Sequence, residues 1–198
     1  MRLTKLIIPV LLGISCVGAA MADTAVYEVD PVHSLVLYRI THLGIAPSYG
    51  VFTGISGNVT FDPDRPEACQ AKIQVDPLTL NSFHAGRDQH LKGPEFLNVE
   101  EHFTITFESG TWRPVAGAKG VYDVEGVLTF LGMSRPVTVR ATHGGFATGK
   151  NGEQKTGFEV TFSFNRSDFG MTAYLPDALG DEVRITVALE ATRKSDKP

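Results

Sequence analysis

The chain is 198 residues long and carries 18 basic against 22 acidic side chains, for a net charge of −4. A net acidic chain without a run of like charge argues against nucleic acid or an anionic membrane surface as its main partner. Its length, 42% hydrophobic content and lack of internal repeats fit one globular domain able to bury a core of its own.

The N-terminus reads as an export signal. Arg2 and Lys5 precede an apolar run from Leu6 to Val17, which ends in Ala20-Met21-Ala22. This pattern has an A-x-A cleavage site, and cleavage is predicted after Ala22. Pro9 and Gly13 interrupt the run, which falls short of the roughly 20 residues a spanning helix needs, so no stable membrane anchor is expected. Gly13, Ile14 and Ser15 make a poor lipid-attachment site before Cys16. Residues 23–198 then form a single mature domain whose one cysteine is Cys69. No intramolecular disulfide is open to it, and burial in the core is expected.

From residue 36 onward the chain alternates. Val36, Tyr38, Ile40 and His42 fall at every second position, as do Ile55, Gly57, Val59 and Phe61, and then Ala71, Ile73 and Val75. Phe103, Ile105 and Phe107 follow, then Tyr122, Val124, Gly126, Leu128 and Phe130, and Val137, Val139 and Ala141. Phe158, Val160, Phe162 and Phe164 make another set, and Val183, Ile185, Val187 and Leu189 close the series. A period of two puts each set on one face of a strand. Turn residues separate the sets at Asp62–Pro66, Gly117–Gly120, Gly132–Pro136 and Lys150-Asn151-Gly152, and such short connections predict antiparallel neighbours. About eight half-apolar strands suit a sandwich or a closed barrel, and closure has the advantage of leaving no exposed edge. A barrel of that size is just wide enough to be filled by side chains or to hold one small ligand. Gly57, Gly126 and Ala71 either leave room inside or mark kinks and bulges.

One segment reads as helix. Asn81 or Ser82 can cap its start, residues 83–92 are helix-compatible apart from Gly86, and Gly93-Pro94 stops it. Phe83, Arg87, His90 and Leu91 fall on one face, with Asp88 one step round and within reach of His84 or Lys92. The spacing predicts a short helix that covers one end of the barrel. Arg87 and Asp88 could act as a general acid/base pair, anchor an anionic head group, or belong with His90 to a network that satisfies backbone groups there.

A nucleophile elbow, a phosphate loop, an HExxH helix and a CxxC pair are all missing from the sequence. The six histidines show no characteristic zinc spacing, and neither metal nor cofactor is expected. Trp112 and the phenylalanines are expected in the core.

The chain resembles the YceI family of exported lipocalin-like proteins from Tyr27 to Ala191. The family pattern stands as YEVDPVHSLVLYRITHLG from Tyr27 to Gly44, GVFTGISGNVTFD from Gly50 to Asp62 and Arg87-Asp88-Gln89-His90-Leu91 with Phe96. It continues as TFES from Thr106 to Ser109, LTFLGMSRPV from Leu128 to Val137, NRSDFG from Asn165 to Gly170 and GDEV from Gly180 to Val183. His102-Phe103, Leu131 and the long stretch Met171 to Leu179 depart from it.

The resemblance implies an all-β, antiparallel, lipocalin-like barrel of about eight strands, with the short helix near its mouth. It also implies a periplasmic carrier of a long isoprenoid lipid, in the quinone or prenyl phosphate class, with no catalytic residues. Strand parity supports Val36, Tyr38, Ile40, Ile55, Phe107, Leu128, Phe158, Phe162 and Ile185 as the lining of an isoprenoid pocket, and His42, Arg87, Asp88 and His90 are expected at its mouth or in a structural network there. A homodimer is left open. Two other readings compete: a lipid-modifying enzyme using His42, Asp88 and His90, and a stress-response interaction protein with a filled core.

Overall fold

The computed structural model describes residues 24–194, so the expected signal at residues 1–22 lies outside the described residues. The chain forms β1 (Val26–Val29), β2 (Leu35–His42), β3 (Ala46–Phe52), β4 (Ile55–Thr60), β5 (Gln70–Val75) and β6 (Leu80–Asn81) before the helix α1 (Ala85–Lys92). Five longer strands follow: β7 (Ile105–Pro114), β8 (Val121–Phe130), β9 (Met133–Thr148), β10 (Gln154–Asn165) and β11 (Leu179–Arg193). Neighbours pair antiparallel in the order β1-β4-β5-β7-β8-β9-β10-β11, and β11 returns to β1, which closes an eight-stranded barrel. The expected all-β fold with one helix is what the chain adopts.

The remaining short strands continue barrel strands past a local break. β2 runs on from β1 along the same edge of β11, where Val29 pairs with Ala191 and Leu35 with Ala188. Between them residues 30–34 loop outward, and buried Ser34 repairs the ladder: its Oγ donates to the Glu190 carbonyl (3.2 Å) and accepts from the Glu190 N–H (3.0 Å). β3 continues into β4 in the same way, with the Gly54 N–H held by Thr79 Oγ1 at 2.9 Å.

Parity places the alternating sets inside, with two departures. Phe103 lies ahead of β7 and is 67% exposed, because that strand begins only at Ile105. Within β7 a bulge between Ser109 and Trp112 shifts the register and turns Trp112 inward; Ser109 Oγ accepts from Trp112 Nε1 (3.2 Å) and Ala71 N (2.7 Å). The β8–β9 turn explains Leu131, which with Gly132 takes the two positive φ values (49° and 71°) that a tight hairpin turn demands.

One end of the barrel is filled. Phe61 sits at its centre, with ring centroids of His143 at 4.6 Å, Phe158 at 4.9 Å, Tyr122 at 5.7 Å and Trp112 at 5.9 Å. Burial pushes the His143 pKa down, which favours the neutral ring that shares a hydrogen bond with Thr156 Oγ1 at 3.0 Å. Cys69 is buried near the same end. Its thiol donates to the Asp62 carbonyl, and burial raises its pKa.

Candidate functional site

The other end is not filled. A cavity of about 890 Å³ runs from the aromatic floor to the end that carries α1. Its wall includes Val36, Tyr38 and Ile40 of β2, Ile55 of β4, Phe107 of β7, Leu128 of β8, Phe162 of β10 and Ile185 of β11. Eight of the nine residues nominated from parity therefore face it. Phe158 lies below the cavity: it has the right parity but packs edge-on against Phe61 in the floor, since parity fixes the face and says nothing of the height along the barrel.

Of the three small residues, Ala71 lines the cavity, whereas the two glycines answer to backbone and packing constraints. Gly57 sits at φ 133°, and a Cβ there would overlap the Lys72 carbonyl oxygen, so its requirement is backbone geometry. A Cβ on Gly126 would stand 2.6 Å from the Phe107 ring, which lies across it.

Around the mouth, the helix begins two residues later than its sequence suggests. His84 is the cap, with its Nδ1 accepting from Arg87 N at 3.2 Å. Asn81 Oδ1 instead accepts from Phe83 N at 2.8 Å, and Ser82 is fully buried. Ser82 is the centre of a network. Its N–H (2.6 Å) and hydroxyl donate to Asp88 Oδ1, while Arg87 Nε donates to its Oγ at 2.9 Å and the Arg87 guanidinium also reaches its carbonyl. The Ser82 hydroxyl first, and then its N–H, hold the Asp88 carboxyl below the usual carboxylate range. Asp88 thus turns to Ser82 and not to His84 or Lys92.

No residue of α1 is fully buried, and Leu91 is the one that packs against the core. Phe83 is 70% exposed at the cavity rim, held at φ 66°. His90 Nε2 lies 2.9 Å from Glu95 Oε2, and its ring meets Phe96 and Tyr174 edge-on at 5.1 and 5.9 Å. Tyr174 stacks on Phe96 (6.0 Å, 7°), which ties the stretch from 171 to 179 to the segment after α1.

His42, Arg87 and His90 reach the cavity wall; Asp88 does not. Among the described residues no hydrogen bond joins His42 to Asp88 or His90. Away from the cavity, Asp30, His33 and Glu190 bring their ligand atoms within 4.8 Å of one another. The Lys155 ammonium lies 3.2 Å from Asp30 and 2.6 Å from Glu190, so this cluster already has its cation.

Sequence reasoning passed over Arg166, which is 1% exposed and contributes to the wall, and Tyr174. The signal for Arg166 was an arginine directly following the inward-alternating run of β10.

A closed antiparallel barrel with a largely apolar cavity that opens beside a short helix is a lipocalin-like fold. The model of the YceI-like domain matches residues 27–191, and the chain belongs to that family. It is 32% identical to a UPF0312 protein of Azotobacter vinelandii over 97% of this chain and all of that one. It is 33% identical to a UPF0312 protein of Pseudomonas aeruginosa over 97% and 100% of the two chains.

Among solved structures, Burkholderia cenocepacia BcnA superposes with a TM-score of 0.75 at 25% identity, covering 83% of this chain and 99% of that one. A domain from Saccharophagus degradans described as polyisoprenoid-binding and implicated in plant cell wall breakdown has a TM-score of 0.67 at 12% identity. The match covers 85% of this chain and 98% of that domain, and shows a shared fold.

Proposed function

We propose that the protein is an exported carrier that holds one long isoprenoid lipid in the barrel, with its head group at the mouth. The observation that carries this reading is the cavity of about 890 Å³, apolar along its walls, closed by the Phe61 cluster and open beside α1. The description of the Saccharophagus domain as polyisoprenoid-binding supports the same ligand class. The energetics are sufficient: at about 0.8 kcal/mol per buried CH₂, each five-carbon unit supplies about 4 kcal/mol gross. Several units therefore exceed the cost of association. Wall shape, more than polarity, would then select chain length and branching.

Export to the periplasm rests on the pattern at residues 1–22, and cell fractionation tests it. Catalysis through His42, Asp88 and His90 finds less support, since Asp88 is committed to Ser82 and His90 faces Glu95. A filled core does not fit a cavity of this volume. Solvent extraction of protein purified without detergent should release a prenyl lipid detectable by mass spectrometry. Extracts free of prenyl lipid, from protein that also fails to take up added isoprenoids, would sink the reading.

A further inference from the structure

The barrel wall carries a seam. β9 and β10 pair from Gln154 opposite Thr148 to Thr161 opposite Arg140, and the ladder stops there. The same register would set Phe162 against Val139, Ser163 against Thr138, Phe164 against Val137 and Asn165 against Pro136. Instead, β10 keeps only β11 as its partner over 162–165, and β9 keeps only β8 over 133–139. Pro136, which has no N–H to give, marks the open edge of β9.

A cleft of about 580 Å³ opens outward along this seam, with Pro136, Val137 and Thr138 on one lip and Ser163, Phe164 and Asn165 on the other. Phe164 lines both this cleft and the central cavity, and among the described residues it is the one that does. A single half-buried ring, 5.8 Å from Phe130 and 5.3 Å from Phe169, therefore faces the inside and the outside of the wall.

Toward the mouth the lips are held together lightly. One side-chain hydrogen bond joins them among the described residues, from Arg135 Nε to the Asp168 carbonyl at 3.1 Å, and both residues are exposed. Such a bond exchanges readily with water, and its net worth is small. Other links at the mouth are heavier: buried Ser82 binds Arg87 and Asp88, and Tyr174 stacks on Phe96. Local opening favours stretches that are exposed and poor in backbone hydrogen bonds, as this seam is.

We infer that the unpaired stretch between β9 and β10 is a side door to the cavity, with Phe164 as its gate and the Arg135–Asp168 hydrogen bond as its latch, through which the apolar chain of the carried lipid passes. This rests on the lipid-carrier reading above. The intact ladder from Thr161 and Arg140 onward is the hinge, and release of the latch joins the seam to the mouth. A long chain can then lie into the barrel sideways, without threading end-on past α1.

The test follows geranylgeraniol on the full domain by the fluorescence of Trp112, the chain's single tryptophan and part of the cavity wall. Stopped flow gives the uptake rate, and mixing with phosphatidylcholine vesicles gives the release rate. Arg135→Ala should speed both by about fivefold, the value of one net hydrogen bond, and so leave the affinity unchanged. Thr138→Cys combined with Ser163→Cys places one exposed thiol on each lip. Bridging the pair with dibromobimane should slow both rates about tenfold or more, whereas monobromobimane on the same thiols should not. Cys69, buried and with a raised pKa, stays out of the reaction.

Unchanged rates in the bridged protein or in Arg135→Ala would overturn the inference while leaving lipid binding intact. Failure of the unaltered protein to bind geranylgeraniol would instead overturn the carrier reading, and this inference with it. Should the double-cysteine variant fail to fold, amide hydrogen exchange on the unaltered protein decides. Amides at 137–139 and 162–165 that face the seam should exchange about tenfold or more faster than those of the paired stretch 141–147, and uniform protection along both strands would refute the door.

Discussion

Replacing Asp88 by Ala removes the acceptor that serves both donors of the fully buried Ser82. A buried N–H left unpaired costs about 1–3 kcal/mol, and the second, charge-assisted bond adds a comparable amount. Because the carboxylate itself is only half-buried, solvent replaces part of the loss, and about 2 kcal/mol is the expected destabilisation. For a domain of this size, that lowers Tm by about 4–8 °C in a circular dichroism melt.

The effect has a pH signature. The folded-state pKa of Asp88 is depressed below its unfolded value, so its contribution is complete above the usual carboxylate range and is lost as pH falls through the folded pKa. The Tm gap between the unaltered protein and Asp88→Asn should therefore narrow in acid. Lipid retention at 25 °C, where the variant is still folded, should be unchanged. An unaltered Tm combined with lost retention would show that Asp88 meets the ligand and does not brace the mouth.

Other expectations are as direct. Gly126→Val should destabilise by about 1–3 kcal/mol in urea unfolding, because a Cβ there would stand 2.6 Å from both the Glu108 carbonyl oxygen and the Phe107 ring. Phe61→Ala should cost about 3–5 kcal/mol by the same measurement, since it empties the centre of the aromatic floor. Leu128→Trp adds bulk to the cavity wall and should cut lipid uptake about tenfold or more while leaving Tm within a few degrees, the pattern of a site filled without strain. Cys69, buried and with a raised pKa, should react with a thiol reagent only on unfolding, as followed by absorbance.

Much of the barrel is legible in the sequence because inside and outside alternate with a period that medium-sized apolar residues reveal. The sets beginning at Val36, Tyr122, Phe158 and Val183 became β2, β8, β10 and β11 with the expected faces. β1 and β6 escape notice because they are four and two residues long. β3 escapes because its inward positions hold Ala46, Ser48 and Gly50, with the Tyr38 ring of the paired strand covering Gly50. Such compensation across strands is invisible to a reading that takes one strand at a time. The helix cap is misplaced for a similar reason, since Ser82, a good cap by type, is drawn inward by two partners that lie later in the chain.

The site is legible in outline only. Parity nominates wall residues but cannot say which lie in the floor, as Phe158 shows. Arg166 reads as a loop residue until the fold reveals that it is buried beside the cavity.

The carrier account is tested most directly by native mass spectrometry of the protein released from its compartment without detergent. One polyisoprenoid per chain is the predicted adduct, lost from Leu128→Trp and regained by the unaltered protein on incubation with prenyl lipid. The bare polypeptide mass in every sample, including after that incubation, would contradict it.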